Sequence, residues 1–188
     1  MIILIGGSTH AGKTLMAQNL MEKYRIPYTS LDHIKMGLCR SSIRCGFTPL
    51  DSDERISQSL WGVVKGMIDT CTENGQNIIL EGCYLPPEKT AALKGDIIIM
   101  YIILSAGYIK DNLPLIIKHE NDMEKRRICG DFSVEELMRD NEELEKKCRT
   151  FALPFVRIEH CYADEIPKAY RYIDCMYSRL SSARKSDG

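Results

Sequence analysis

Short apolar runs alternate with amphipathic stretches along most of the 188-residue chain. The first run, Met1-Ile2-Ile3-Leu4-Ile5, is apolar at every position, which is typical of a parallel strand buried on both faces. Comparable runs predict further strands at 26–31, 77–80, 96–104 and 154–158. Good helix formers, or apolar residues recurring every three or four positions, predict helices at 15–23, 53–74, 105–128, 133–149 and 164–180. Strands that alternate with helices in this way predict an α/β fold with a mainly parallel sheet.

A glycine-rich segment separates the first strand from the first helix. It reads Gly7-Ser8-Thr9-His10-Ala11-Gly12-Lys13-Thr14 and fits G-x-x-x-x-G-K-[ST], the P-loop pattern. Backbone N–H groups of such a loop can wrap a phosphate chain, helped by the N-terminus of the following helix. We expect all eight residues to bind phosphate, Lys13 to reach the β- and γ-phosphates, and the Thr14 hydroxyl to bind Mg²⁺. The alternative is a glycine turn that merely begins a helix.

Acidic residues follow two of the predicted strands. Asp32 comes directly after the strand at 26–31, and Glu81-Gly82 comes after the strand at 77–80. Because ligands of open α/β sheets bind outside the carboxyl ends of the strands, we expect both acids to face the P-loop. Asp32 would contact the substrate or cap a helix, and the two roles are compatible. Glu81 would support Mg²⁺ or act as a base, or be an exposed charge, and Gly82 would permit a close backbone approach.

Two groups of arginines complete the candidate site. Arg40 and Arg44 stand in an irregular stretch, where they would clamp an anionic substrate or simply face solvent. Arg126 and Arg127 lie at the end of the helix predicted at 105–128, where they would close over the γ-phosphate as a lid or complement the helix dipole.

Composition narrows the class of protein. The chain is 44% hydrophobic and 27% charged with a formal net charge of −1, which suits one globular domain and argues against nucleic-acid binding through bulk charge. No apolar run is long enough to predict a membrane span. Eight cysteines without zinc spacing, and a first strand that begins at Met1 without a secretory signal, predict reduced thiols in the cytoplasm. We expect one domain over 1–180, with a lid at about 121–132 and a flexible tail at 181–188.

These segments together resemble the small P-loop kinases, a group that includes nucleoside-monophosphate kinases and shikimate-kinase-like proteins. The resemblance is strongest to 2-phosphoglycerate-kinase-like proteins. It is carried by the P-loop, Ser30-Leu31-Asp32-His33-Ile34 with Arg40 downstream, Ile79-Leu80-Glu81-Gly82 with Leu85-Pro86, and the basic segment near Arg126 and Arg127.

The resemblance implies a three-layer P-loop NTPase fold with a five-stranded parallel sheet of order 2-3-1-4-5 and with ATP and Mg²⁺ as cofactors. It also implies Asp32 at the acceptor hydroxyl or the metal, Arg40 on the substrate, and Arg126 or Arg127 on the transferring phosphate. The nucleotide base would lie near 160–163. Two departures leave the acceptor and the catalytic base open: Glu81-Gly82 replaces an Asp-Gly pair, and His33 and Lys35 replace a second strand-end carboxylate.

The function we expect is transfer of the γ-phosphate of ATP to a small-molecule or nucleotide acceptor. A second interpretation is a nucleotide-binding switch or hydrolase that acts with a protein partner, although the guanine-reading N-K-x-D pattern is missing. A third is a degenerate module that uses ATP only structurally, against which the intact Lys13 and Thr14 argue. The oligomeric state stays open.

Overall fold

The computed structural model describes residues 1–41, 44–123 and 133–186. Its centre is one five-stranded sheet, in which all neighbouring strands run parallel in the order β2-β3-β1-β4-β5. The strands are β1 (Ile2–Gly7), β2 (Tyr28–Ser30), β3 (Ile78–Gly82), β4 (Ile97–Leu104) and β5 (Phe155–Ile158). The predicted fold class and strand order are therefore confirmed.

Helices cover both faces of the sheet and give the molecule three layers. They are α1 (Lys13–Tyr24), α2 (Leu31–Arg40), α3 (Asp53–Glu73), α4 (Pro87–Thr90), α5 (Ala106–Met123), α6 (Val134–Thr150), α7 (Tyr162–Glu165) and α8 (Pro167–Ser186). Ile3 and Ile5 pack in one core with α1, α5 and α8, whereas Ile2 and Leu4 pack in the other with α2 and α3. Because side chains alternate across a strand, an unbroken apolar β1 supplies both cores.

Two helices differ from the sequence-based expectation. Helix α2 runs from Leu31 to Arg40, so β2 is shorter than 26–31 and Arg40 ends a helix rather than lying in a loop. The apolar residues Leu31, Ile34 and Leu38 share one face of α2 and pack against the core beside α3, which stabilises it. Helix α8 continues to Ser186, so most of the segment 181–188 is helical.

The lid lies almost wholly outside the described residues. Helix α5 contains Pro114 and ends at Met123, so only the start of the segment 121–132 is described. Arg126 and Arg127 are beyond it, and their role stays a prediction. In the described part of the chain, no helix combines the length and the apolar character that a membrane crossing requires.

Candidate active site at the carboxyl ends of β1 and β3

The P-loop leaves the carboxyl end of β1 and enters α1 at Lys13, as the pattern predicts. Left-handed backbone conformations occur in the loop at His10, with φ 61°, and at Gly12, with φ 82°. Left-handed residues next to right-handed ones turn consecutive N–H groups toward one side, which makes a concave site for an anion. At Gly12 a Cβ would also lie 2.9 Å from Cζ of Tyr162, so glycine is required there for space as well as for conformation.

Lys13 is buried beneath this loop. Lys13 is only 7% exposed, and its Nζ donates a hydrogen bond of 2.7 Å to the backbone oxygen of Ser8. Burial opposes the charge of Lys13, but nearby Cys83 and the carboxylates of Glu81 and Asp32 outweigh it and raise the pKa. Burial also raises the pKa of the Cys83 thiol, so the carboxylates supply the counter-charge near neutral pH. Lys13 therefore remains an ammonium group.

Thr14, in the first turn of α1, contacts Glu81 near the carboxyl end of β3. The Thr14 hydroxyl donates to Oε1 of Glu81 at 3.2 Å, and Glu81 is only 1% exposed. Glu81 is brought here by the register of β3, in which it pairs with Ile5 of β1 and Ser30 of β2.

This oxygen pair fits Mg²⁺. The ion takes hard oxygen ligands and usually keeps waters and substrate phosphates, so one or two protein oxygens are sufficient. Within the ranges 1–41, 44–123 and 133–186, no group of three or more His, Cys, Asp and Glu residues could hold a metal ion. Two oxygen donors suit a metal ion that keeps waters and substrate phosphates as its remaining ligands.

Asp32 lies in the first turn of α2, with Ser30 as the N-terminal cap residue, and forms an ion pair within that helix. Its Oδ1 accepts a hydrogen bond of 2.8 Å from Nζ of Lys35. Lys35 also donates to the Tyr84 hydroxyl at 2.5 Å, and that hydroxyl donates to the same Asp32 oxygen at 3.4 Å. The three side chains form a closed network beside the P-loop.

The segment that carries Tyr84 is held in place by buried hydrogen bonds of Tyr101. The hydroxyl of Tyr101, in β4, donates to the backbone oxygen of Leu85 at 2.9 Å and bonds with Oγ1 of Thr90 at 2.8 Å. Burial raises the pKa of Tyr101 and of Tyr84, so both hydroxyls stay protonated at physiological pH. The segment that carries Tyr84 is therefore anchored to β4 through Tyr101.

Sequence reasoning did not place Lys35, Cys83, Tyr84 or Asp53 in the site. The Sγ atom of Cys83 lies 3.8 Å from Oγ1 of Thr9 in the P-loop. Asp53, at the start of α3, interacts electrostatically with Asp32, Lys35 and Lys13. The spacing of Asp32 and Lys35 is that of neighbours on one helix face, but this signal is readable only once α2 is known to begin at Leu31.

The remaining predicted residues lie in different settings. Arg40 and Arg44 are exposed, Arg40 at the last position of α2 and Arg44 in the following segment. Gly82 is buried, and a Cβ there would lie 2.8 Å from Cβ of Leu31. Gly82 thus allows α2 to pack closely against β3. The close approach at this glycine is made by Leu31, which immediately precedes Asp32.

The resemblance implies that the nucleotide base lies near 160–163, in the segment after β5. This segment contacts the P-loop. The hydroxyl of Tyr162, the first residue of α7, donates to the backbone oxygen of Ala11 at 3.2 Å. Tyr162 thus packs against the turn that begins α1.

Comparison with known proteins gives structural matches only. No protein-family model matches the chain, and no curated protein matches its sequence. Among solved structures, a candidate kinase from Chloroflexus aurantiacus J-10-fl is 17% identical with a TM-score of 0.56, covering 98% of this chain and 94% of its own.

Two further structures have comparable similarity over nearly the whole chain. A deoxyadenosine kinase from M. mycoides with bound dATP is 15% identical with a TM-score of 0.53, covering 93% of this chain and 100% of its own. A gluconokinase from Sinorhizobium meliloti 1021 is 13% identical with a TM-score of 0.52, covering 96% of this chain and 95% of its own. With its five-stranded parallel sheet and flanking helices, the chain has the fold of the P-loop kinases.

Proposed function

We propose that this protein is an ATP-dependent phosphotransferase that moves the γ-phosphate of Mg-ATP to a hydroxyl of a small-molecule or nucleotide acceptor. The observation that carries the proposal is the convergence of three groups at the carboxyl ends of adjacent strands. These are the buried ammonium group of Lys13, the hydrogen-bonded pair of Thr14 and Glu81, and the carboxylate of Asp32.

The P-loop residues would hold the donor. The N–H groups from Gly7 to Thr14 would surround the phosphate chain, and Lys13, which bonds the Ser8 carbonyl, would turn to the β- and γ-phosphates. Thr14 and Glu81 would hold Mg²⁺, directly or through water, and the ion would supply positive charge against the phosphates.

Asp32 would orient the acceptor hydroxyl and accept its proton. Lys35 holds the Asp32 carboxylate at 2.8 Å, which fixes the direction from which the hydroxyl is bound. We assign the arginines subsidiary roles: Arg40 and Arg44 at the acceptor side, and Arg126 or Arg127 on the transferring phosphate. Catalysis of phosphoryl transfer depends mostly on positioning and electrostatics, so these cations need only be held near the reacting groups.

The direct test is ADP release from Mg-ATP in a coupled assay, measured against nucleosides, nucleoside monophosphates, sugars, polyols and phosphorylated acids. A kinase gives a rate that one acceptor stimulates. Loss of a charged contact that acts mainly in the transition state costs about 3–4 kcal/mol, so Lys13→Ala should lower the rate by about 10²–10³-fold or more. The circular dichroism spectrum should stay close to wild type.

Lys110→Ala is the matched control, because Lys110 is an exposed lysine of α5 and its loss should leave the rate unchanged. Full turnover by Lys13→Ala would refute the kinase mechanism. Slow ADP release that no acceptor stimulates would instead favour a hydrolase or switch that acts with a protein partner.

A further inference from the structure

Lys35 differs from Lys23 and Lys65, which form ion pairs on the surface, in how little of it meets solvent. Its side chain is 12% exposed, whereas those of Lys23 and Lys65 are 51% and 45% exposed. Its Nζ donates to Oδ1 of Asp32 at 2.8 Å and to the Tyr84 hydroxyl at 2.5 Å. An ammonium group that has lost most of its hydration has to be held by its partners, so Lys35 is confined to one place.

Tyr84 gives Lys35 a second partner that carries no charge. Tyr84 is 4% exposed, and Nζ of Lys35 lies 4.9 Å from the centre of its ring. Burial raises the pKa of Tyr84, so its hydroxyl remains neutral while it accepts from Lys35 and donates to Asp32. The bond to Asp32 is long, at 3.4 Å, whereas the bond from Lys35 is short, at 2.5 Å. Tyr84 therefore acts on Asp32 mainly through Lys35.

Stability alone gives no reason for a charge pair at this place. Taking two charges out of water offsets much of their attraction, and apolar residues of similar volume often replace a buried ion pair without loss of stability. The packing of α2 is supplied by other residues of the helix, which are Leu31, Ile34 and Leu38. Charged groups that are enclosed in this way beside a phosphate loop are typical of a functional site.

Contacts outside the network hold both of its ends. Leu31, which precedes Asp32, packs so closely against Gly82 that a Cβ at Gly82 would lie 2.8 Å from Cβ of Leu31. The start of α2 is thereby fixed against β3. On the other side, the Tyr101 hydroxyl donates to the backbone oxygen of Leu85 at 2.9 Å, one residue after Tyr84. The protein's own contacts thus set the direction of the Asp32 carboxylate, which is what catalysis by positioning requires.

We propose that Tyr84 and Lys35 are positioning residues that act in series on Asp32, with Tyr84 holding Lys35 and Lys35 holding the carboxylate. The inference rests on the proposed function. In that reaction the acceptor oxygen forms a bond to the γ-phosphorus, the bond from that phosphorus to the bridging oxygen breaks, ADP leaves, and Asp32 takes the hydroxyl proton. A protonated Asp32 attracts Lys35 less, so Tyr84 keeps the ammonium group in place until the carboxylate is restored.

The charge of Lys35 can be separated from the other charges near Asp32. Ionisable groups from neighbouring elements also interact electrostatically with Asp32: Lys13 of α1, Asp53 of α3, and Cys83 and Tyr84 after β3. All of them remain when only Lys35 is replaced. Because an ammonium group at 2.8 Å favours the ionised carboxylate, loss of Lys35 should let Asp32 bind a proton at higher pH.

The test measures kcat and kcat/KM against pH with Mg-ATP. Adenosine, adenosine 5′-monophosphate, glucose, glycerol and 3-phosphoglycerate are offered as acceptors, and the one that gives the highest rate is used throughout. Lys35→Met should lower kcat by about tenfold or more and move the acidic limb of kcat/KM to higher pH by about one unit or more. Lys35→Arg keeps the charge, so it should leave the limb in place and recover part of kcat. Lys65→Met is the matched control, because it removes the lysine of an exposed ion pair on α3 and should change neither quantity.

Tyr84→Phe tests the action in series. It should lower kcat with little change in the KM of the acceptor, and it should leave the acidic limb in place because the charge of Lys35 stays. Since Tyr84 acts through Lys35, the double variant Lys35→Met, Tyr84→Phe should lose little more kcat than Lys35→Met alone. Losses that multiply in the double variant, or an acidic limb that Lys35→Met does not move, overturn the inference and leave the kinase proposal standing. ADP release that no acceptor stimulates overturns both.

Discussion

The role of Gly12 can be tested by Gly12→Ala, whose cost has two separable parts. Gly12 has φ 82°, and placing an L-residue in the left-handed region costs about 1–2 kcal/mol. The new Cβ would lie 2.9 Å from Cζ of Tyr162, so the ring must move, and overpacking of this kind costs about 1–3 kcal/mol. The free energy of unfolding should therefore fall by about 2–5 kcal/mol, which many domains survive.

The assay is urea unfolding without nucleotide, together with the Kd for Mg-ATP from calorimetry. Gly12→Ala should weaken nucleotide binding, because the substitution changes the direction of the P-loop N–H groups. Tyr162→Ala in the same chain removes the ring and with it the steric part, so the two substitutions should be coupled by about 1–3 kcal/mol. The conformational part should remain.

Gly62→Ala provides the control, because Gly62 lies in α3 and a Cβ there meets no atom within 4 Å. In a helix interior that change should stabilise the protein by about 0.5–1 kcal/mol. Two results would contradict these roles of Gly12: a Gly12→Ala protein that binds Mg-ATP as tightly as wild type, or a Gly12→Ala protein that regains no stability when the Tyr162 ring is removed.

Other substitutions test separate contacts. Thr14→Val should abolish the rise in Tm that Mg-ATP produces, whereas Thr14→Ser should keep it, because only serine retains the hydroxyl that bonds Glu81; an equal shift in both variants would contradict this. Asn141→Leu should cost about 1–3 kcal/mol in chemical denaturation, since a buried backbone N–H at the end of β4 loses its acceptor; unchanged stability would refute it. Burial alone would raise the pKa of Asp174, but hydrogen bonds from Lys23 and Tyr24 outweigh it and lower the pKa. The stabilisation from Asp174 is thus present above the usual carboxyl pKa and lost as the pH falls through the lowered value. Asp174→Asn should cost up to about 1 kcal/mol at neutral pH, as expected for a solvent-screened pair, and nothing in strong acid; a cost independent of pH would exclude the charge as its cause.

The sequence by itself determined the sheet and the phosphate loop. An unbroken apolar run such as 2–5 favours burial on both faces, and a parallel sheet covered by helices on both sides buries several such runs. The P-loop is equally local, since its glycines, Lys13 and Thr14 all lie within one strand–loop–helix segment. The alternation of strands and helices then left few possible orders of the strands in the sheet. The order 2-3-1-4-5, which the resemblance implied, is the one observed.

The network of Asp32, Lys35 and Tyr84 was decided only by the tertiary structure. Lys35 and Tyr84 are separated by 49 positions in the chain and meet because β2 lies beside β3, which brings the start of α2 next to the segment after β3. The steric part of the requirement for glycine at position 12 likewise depends on Tyr162, which lies beyond β5 in the chain. Local pattern sets which residues form strands and helices, whereas contacts between distant side chains depend on strand order, register and the exact start of each helix. The residues that would recognise an acceptor are brought together by such contacts between distant parts of the chain.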